Sequence, residues 1–282
     1  MKYISFTHNG KSSYGVLLDG RIVDLGIYFG DRAPDLKALI ASGRLEQAVH
    51  AAVSQPTTLT LAGVSLLPVI PNPGQIICVG LNYADHVQET GRVITESPTL
   101  FLRVPQSQVG HGQDIVLPPE STRLDYEGEI AVIIGKGGRR ISEADAWSHI
   151  AGYACYNDGS IRDWQSATSQ FTPGKNFWRT GGFGPWMVPA SEIAPGRTMT
   201  LVTRLNGVEL QRATTDMMLH SIPRQIAYIS TFTPLEPGDV IVTGTPGGVG
   251  FKRNPPVYMQ HGDLVEVEVD AIGTLSNHVR DE

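Results

Sequence analysis

The stretch LDYEGEIAVIIGK, residues 124–136, constrains the fold more than any other part of the sequence. In a strand, Asp125, Glu127 and Glu129 would lie on one face, because alternate side chains point the same way. Residues 131–134 then stop alternating, which is typical of a strand buried on both faces. A solvated sheet face is one explanation of the carboxylates. A divalent cation with oxygen ligands is the other, since like charges at the mouth of a buried strand repel one another.

A further oxygen ligand is available in YNDGSIRDWQ, residues 156–165. Asp158 follows an apolar run and precedes a helical segment. Arg162 and Gln165 are three residues apart there, and so occupy neighbouring helical positions. Asp158 would serve equally well as the N-cap of that helix. The spacing leaves both roles open.

The stretch NYADHVQE, residues 82–89, places His86 and Glu89 three apart on a predicted helical turn. A carboxylate next to an imidazole orients the ring and stabilises its protonated form, as a general base requires. Surface helices also carry this spacing by chance. On its own the pair therefore favours an ordinary surface helix over a catalytic pair.

Two further stretches carry polar groups among glycines and aromatics. GDVIVTGTPGGVG, residues 238–250, is a strand followed by a glycine-rich loop, without the lysine of a phosphate-binding loop. The loop is either a hairpin or barrel corner, or a nest of N–H groups that holds a small carboxylate together with Thr245. Lys175, in TPGKNFW, is the other candidate, although lysines are usually solvated.

Composition excludes several classes of protein. The chain has 282 residues and a formal net charge of -6 without a basic stretch, which argues against nucleic-acid binding. It has no apolar run of the roughly 18–20 residues that a membrane span needs and no secretory leader pattern, so a cytoplasmic protein is expected. Cys78 and Cys155 lie in apolar runs, which predicts neither a disulfide framework nor a zinc site.

The chain is predicted to have two units and an α+β, mainly antiparallel fold. Residues 1–70 form a small α+β unit of short strands and a helical segment, and a Pro- and Gly-rich link at 68–75 precedes the larger unit, 71–282. Strands dominate that unit, as the 31 glycines and 19 prolines suggest. Asn206-Gly207, between two alternating runs, is a strong hairpin signal.

Taken in order, the motifs resemble the fumarylacetoacetate hydrolase family across nearly all of residues 76–280. They are VGLNYADHVQE, LDYEGEIAVIIGK, GYACYNDGSIRDWQ, GKNFW…FGPW, GDVIVTGTPGGVG and GDLVEVEVDAIGTLSNHV. The resemblance implies a β-sandwich roll flanked by short helices, a small N-terminal domain and a homodimer. The sequence differs from that of many family members at Gly159 and at Trp178-Arg179, and these differences bear on the identity of the substrate.

The resemblance also implies roles for the candidate residues. Glu127, Glu129 and Asp158 would bind Mg²⁺ or Mn²⁺, and Asp125 is not a ligand. His86 and Glu89 would activate water from a lid over the site. The residues that would contact the substrate or its developing charge are Lys175, Gln165, Arg162 and Thr245.

The implied reaction is the hydrolysis of a C–C bond in a 2,4-dioxo acid, such as fumarylpyruvate or maleylpyruvate, to pyruvate and a second acid. The family also includes isomerases, decarboxylases and lyases of related oxo acids, and a non-catalytic oxo-acid-binding protein is a further alternative. Arg179 could clamp the distal carboxylate of such a substrate, or it could face solvent.

Overall fold

The computed structural model describes residues 1–53, 55 and 59–282. In this part of the chain the α-helices are α1 Leu25–Phe29, α2 Leu36–Ala41, α3 Leu45–Ala52, α4 Ala84–Thr90, α5 Arg162–Ser166, α6 Thr172–Lys175 and α7 Ile222–Phe232. Short 3₁₀ turns span Leu61–Gly63, Pro105–Ser107, Ala146–His149, Ala190–Glu192, Thr215–Met217 and Gly250–Lys252. No helix in the described ranges is both long enough and apolar enough to cross a membrane.

The strands form two large sheets that pack face to face and one separate two-stranded sheet. They are β1 Lys2–His8, β2 Lys11–Leu18, β3 Arg21–Asp24, β4 Leu59–Thr60, β5 Ser65–Leu66, β6 Ile76–Gly80, β7 Thr99–Arg103, β8 Gln108–Val109, β9 Ile115–Leu117, β10 Leu124–Asp125, β11 Gly128–Ile134, β12 Ile150–Asn157, β13 Ser160–Ile161, β14 Gly181–Pro189, β15 Thr200–Leu205, β16 Val208–Thr214, β17 Val240–Val242, β18 Leu264–Val269 and β19 Gly273–Asp281. The larger sheet has the order β4-β3-β2-β1-β14-β12-β11-β17-β6-β7, and the smaller has the order β16-β15-β18-β19-β9.

Side chains from both sheets form one core between them. Ile130 and Val132 of β11 pack in the same buried cluster as Leu201 of β15 and Val267 of β18. Most strand pairs are antiparallel, and β17 with β6 is one of the parallel exceptions. The α+β, mainly antiparallel fold predicted from the sequence is therefore confirmed.

The stretch 124–136 lies at the centre of the larger sheet but is not one continuous strand. β11 is buried along its whole length between β12 and β17, as expected for residues 131–134. The chain leaves the strand conformation between Asp125 and Gly128, and β10 pairs instead with β13. Gly128 fits tightly here, because a Cβ on it would overlap the Thr203 hydroxyl of the facing sheet. The expectation that Asp125 shares a strand face with Glu127 and Glu129 is therefore wrong.

The N-terminal strands extend the larger sheet. β1 pairs with β14 at Tyr3 and Met187. Tyr3 and Leu36 belong to the same hydrophobic cluster as Ala131 and Phe183, so the core also continues from one predicted unit into the other. The boundary at residue 70 stays a prediction.

The hairpin turn predicted at Asn206-Gly207 is present. Asn206 and Gly207 join β15 to β16 with φ angles of 52° and 78°, as a two-residue hairpin turn requires. The segment EADAWSHI, residues 143–150, contains no helix other than the 3₁₀ turn Ala146–His149.

Candidate active site and metal centre

Three buried carboxylates converge where β11 and β12 run side by side. Gly128 pairs with Asn157, so Glu127, Glu129 and Asp158 come from adjacent positions on neighbouring chain segments. One oxygen from each lies within 4.8 Å of the other two. We call these three residues the acidic triad. Oxygen ligands at this spacing suit a hard divalent cation.

Asp158 does not cap a helix. The N-cap of α5 is Ile161, without a side-chain cap bond. The Asp158 carboxylate instead accepts from Arg103 at 2.5 Å and from the Lys175 ammonium at 2.6 Å. The N-cap alternative for Asp158 is therefore wrong.

Lys175 is one of the most deeply buried side chains of the site, at 1% exposure. Its ammonium bridges two members of the acidic triad, at 2.7 Å from Glu127 and 2.6 Å from Asp158. Burial lowers the pKa of Lys175, but the charges of Asp158 and Glu127 outweigh it and raise that pKa overall. Lys175 is therefore a fixed ammonium and not a solvated lysine.

The triad carboxylates differ in their electrostatic surroundings. Burial would raise the pKa of Glu127, but Lys175 and then Arg162 outweigh it, and the pKa is lowered. The pKa of Glu129 is raised well above its ordinary value by burial, by Asp158 and by Glu127. A divalent ion between the carboxylates would remove this repulsion.

The charges of the surrounding cluster also suit a bound dication. Its members are Asp125, Glu127, Glu129, Asp158, Arg103, Arg162 and Lys175, all of them buried. With every group ionised, the four acids and three bases leave one negative charge. A divalent cation would reverse the sign and leave one positive charge for an anionic ligand. The residues present therefore fit a divalent metal.

A glycine-rich segment, residues 243–251, bonds three carboxylates from elsewhere in the chain. We call this segment the glycine loop. β17 ends at Val242 and the loop leads into a 3₁₀ turn instead of a returning strand, so the loop is not the turn of a hairpin. Backbone N–H groups of the loop donate to acids of the protein itself, and Thr245 donates to the Gly128 carbonyl. The pairs are Gly244 with Glu129 at 2.5 Å, Gly248 with Glu89 at 2.9 Å, and Gly250 with Asp125 at 2.9 Å.

His86 and Glu89 form a dyad on α4. The His86 Nδ1 atom lies 2.7 Å from Glu89 Oε1, and Glu89 Oε2 accepts from the Gly248 amide. Because an ionised carboxylate only accepts, Nδ1 carries the proton and Nε2 has a free lone pair. Asn82 fixes the start of the helix through bonds from its side-chain amide to the carbonyls of His220 and Thr243.

One cavity of about 240 Å³ brings the dyad and the triad together. The predicted site residues that line it are His86, Glu127, Glu129, Arg162, Gln165, Lys175 and Thr245. Glu89 and Asp158 lie behind this lining and contact it through His86 and Lys175. Arg162 donates to Glu127 at 2.6 Å and to Gln165 at 2.8 Å, which fixes both side chains.

Arg179 lies outside this cavity. It does not belong to the lining, and its guanidinium donates to the Asp114 carbonyl at 3.4 Å. Its position gives no support to a role as a substrate clamp. The cationic side chains at the cavity mouth are instead Arg92, Arg123 and Lys252.

Sequence reasoning missed Arg103, which is buried at the end of β7 and bonded to Asp158, Ser107 and Thr180. A possible signal was present, because Arg103 interrupts the apolar run TLFLRV. A buried guanidinium needs anionic partners, and the nearest one is a triad member.

Comparison with known proteins finds relatives that match most of the chain. The mitochondrial oxaloacetate tautomerase fahd2 of Xenopus laevis is 36% identical over 99% of this chain and 90% of its own length. The oxaloacetate tautomerase YisK of Bacillus subtilis (strain 168) is 43% identical over 78% of this chain and 74% of its own length.

Solved structures also match this chain along its whole length. A maleylpyruvate hydrolase from Sphingobium sp. SYK-6, in complex with manganese(II) and pyruvate, superposes with a TM-score of 0.82 and 29% identity over 100% of this chain and 99% of that one. Residues 75–280 match the fumarylacetoacetate (FAA) hydrolase C-terminal family. The fold, the acidic triad and these matches lead to one conclusion: the chain belongs to the fumarylacetoacetate hydrolase family of enzymes.

Proposed function

We propose that this protein is a divalent-metal-dependent tautomerase that interconverts the keto and enol forms of oxaloacetate. The observation that carries the proposal is the His86–Glu89 dyad, whose imidazole lines the same cavity as the acidic triad. Curated relatives that match most of this chain are oxaloacetate tautomerases. Keto–enol exchange needs one base beside an acidified C–H bond; His86 would be the base, and a metal ion bound by the triad would acidify the C–H bond.

Glu127, Glu129 and Asp158 would hold Mg²⁺ or Mn²⁺. When bound, such an ion supplies Lewis acidity that polarises a 2-oxo group and acidifies the protons on the neighbouring carbon. Gly244 fixes Glu129 from behind through its N–H group. Lys175 and Arg162 fix Glu127, so its carboxylate is oriented before any ligand arrives.

His86 performs the proton transfer. Its Nε2 atom takes a proton from C3 of the keto acid, and Glu89 stabilises the resulting imidazolium. The 2-oxo oxygen is two bonds from C3, so the same nitrogen can then deliver the proton to that oxygen. This gives the enol and restores the neutral ring, with one proton removed and one returned.

Lys175 and Arg162 stabilise the negative charge that develops during the transfer. Both are held as cations by buried carboxylates, so neither needs to reorganise when charge appears on the substrate. Phe101 and Phe171 pack edge to face at 5.9 Å in the cavity wall and keep water away from the reacting carbon.

The test follows the ultraviolet absorbance of the enol as freshly dissolved oxaloacetate equilibrates. Wild-type protein with Mg²⁺ or Mn²⁺ is expected to accelerate the approach to equilibrium without changing the end point. Exhaustive chelation should abolish the acceleration, and restored metal should recover it. No acceleration at any metal concentration would contradict the proposal.

Hydrolysis of an acylpyruvate, with aromatic-compound breakdown as its setting, is the second candidate. In that reaction His86 would take the proton from water, which would attack the C4 carbonyl. The composition of the cavity supports this candidate, because Tyr258 and Phe251 add apolar lining that a longer acyl chain could contact. Pyruvate release from fumarylpyruvate or maleylpyruvate at a rate exceeding enol exchange would favour hydrolysis over tautomerisation.

A further inference from the structure

The charged residues that line the cavity fall into a buried group, in which the cations Arg162 and Lys175 are paired with carboxylates, and an exposed group. The lining carboxylates, Glu127 and Glu129, are buried at the floor, whereas Arg92, Arg123 and Lys252 are exposed at the mouth. Across the described ranges, no carboxylate lies within ion-pair distance of any of these three cations. The mouth therefore carries three positive charges without a matched anion.

The composition of the chain does not explain this cluster. Acids outnumber bases by 28 to 22, so three cations gathered without an acid run against the overall balance. The cations also come from three separate segments: after α4, before β10 and in the 3₁₀ turn Gly250–Lys252. Like charges brought together from distant parts of a chain repel one another unless an anion lies between them.

Phe251 connects the floor of the cavity to its mouth. Its ring lies 4.3 Å from the Arg162 guanidinium, which belongs to the buried cluster, and 5.0 Å from the Lys252 ammonium at the mouth. A short ligand lying along this ring would meet Arg162, which pairs with Glu127 of the acidic triad, at one end and Lys252 at the other. Such a ligand needs an anion at each end.

We infer that Arg92, Arg123 and Lys252 form a specificity subsite for the distal carboxylate of a dicarboxylic 2-oxo acid. The inference rests on the proposed function for the inner end of the cavity, where the 2-oxo acid group would bind. The mouth cations select substrates by charge, since a neutral distal group would leave three unmatched cations. They also concentrate a dianion at the entrance of a protein that is negative overall.

A matched pair of ligands tests the subsite. Oxaloacetate and its C4 monomethyl ester share the same 2-oxo acid end, and only oxaloacetate has the distal charge. Arg92→Gln, Arg123→Gln and Lys252→Gln are each expected to lower kcat/KM for oxaloacetate roughly 3- to 30-fold, as for a lost charged hydrogen bond near solvent. The ester should change by less than about twofold. Arg139→Gln, which removes an exposed charge outside the cavity, is the control and should affect neither compound.

The outcomes separate this inference from the proposed function. Equal losses on both compounds, or no loss on either, would overturn the subsite while leaving a working tautomerase. If wild-type protein with metal turns over neither compound, the proposed function itself fails. Losses confined to oxaloacetate in the three mouth variants, and absent in Arg139→Gln, are the result that supports the subsite.

Discussion

Glu129 has different partners from the other two acids of the triad. Glu127 and Asp158 each form ion pairs with two cations, whereas no lysine or arginine of the described ranges lies within ion-pair distance of Glu129. Its main hydrogen bond comes from the Gly244 amide. Its charge is therefore the least compensated in the cluster, and a metal ion is the partner that would compensate it.

Glu129→Gln should weaken metal binding without destabilising the metal-free protein. The amide keeps the shape and an acceptor for Gly244 but removes the repulsion from Glu127 and Asp158. We expect Mn²⁺ affinity to fall by at least about 100-fold, measured by titration calorimetry. The melting temperature in chelator should be unchanged or higher. Unchanged Mn²⁺ affinity would remove Glu129 from the ligand set.

His86→Ala should separate catalysis from metal binding. The ring belongs to the dyad and not to the triad, so Mn²⁺ affinity should stay close to wild type. The rate of enol exchange should fall by about 10²–10⁴, the usual contribution of a general base. Glu89→Gln removes the counter-charge and leaves one oxygen to accept from either His86 or Gly248, so its rate should lie between those of wild type and His86→Ala. A His86→Ala rate near wild type would rule out the dyad as the base.

Most residues of the site could be predicted from the sequence because they lie in short motifs with a chemical meaning. His86 with Glu89 and Glu127 with Glu129 are examples. Arg103 and the mouth cations could not, since their roles depend on chain segments that only the folded sheet brings together. Arg179 shows the converse: proximity to Lys175 in sequence did not place it in the cavity.

The glycine loop determines the geometry of the site at the level of secondary structure. Gly244 has a φ of 106°, and a Cβ on it would lie 2.9 Å from the Val79 carbonyl and 2.5 Å from the Asn82 Cβ. Asn82 in turn fixes the start of α4, which carries His86. The loop, the helix and the triad therefore depend on close backbone packing at one glycine.

Gly244→Ala should damage stability and metal binding together. The strain of the left-handed backbone conformation, added to the overlap, is expected to lower the free energy of unfolding by about 1–3 kcal/mol. Mn²⁺ affinity should fall as well, because the displaced amide no longer holds Glu129. Chemical denaturation and calorimetry measure the two effects.

Gly262→Ala is the matched control for this experiment. Its φ of 89° carries similar backbone strain, but a Cβ there would meet nothing within 4 Å. It should lose some stability and keep its Mn²⁺ affinity. Equal metal affinity in both alanine variants would show that the position of the loop does not control the triad.

The break between β10 and β11 was not predictable from alternation alone. The pattern from Asp125 to Glu129 fits a continuous strand, yet Asp125 bonds Arg162 at 2.8 Å and two amides of the glycine loop. Satisfying a fully buried carboxylate outweighed the local preference for extended pairing. Hydrophobic runs such as 131–134, in contrast, were sufficient to predict a buried strand.

Considered as a whole, the molecule has two facing sheets, and the larger is extended by the N-terminal strands. The sequence predicted the strands and their mainly antiparallel arrangement. It did not predict that β1 joins β14, because a pairing so distant along the chain leaves no local pattern. The homodimer implied by the family resemblance stays a prediction, which sedimentation velocity would test.

The stability of the whole protein should decrease in mild acid through His111. This residue links the loop before β9 to β19, because its Nδ1 atom accepts from the Ser276 amide at 3.0 Å. Burial lowers the pKa of His111 below its ordinary 6.5. The unfolded chain therefore takes up the proton first, and the stabilising contribution is lost as the pH falls below about 6.5 through the lower folded-state pKa.

His111→Asn should reduce this dependence. The Asn amide oxygen can accept from Ser276 without titrating. We expect the melting temperature of the variant to fall less than that of wild type between pH 7.5 and pH 5. Parallel curves for the two proteins would show that other groups cause the acid sensitivity.

The three carboxylates bonded by the glycine loop have a consequence for the directed evolution of this protein. Glu129 belongs to the proposed metal site, Glu89 to the proposed base and Asp125 to an ion pair with Arg162, and one loop bonds all three. In a library that randomises residues 243–251, most variants should therefore keep all three carboxylates in place or displace all three together. New substrate preferences should arise more readily from the cavity mouth, where a side chain can change without disturbing its neighbours.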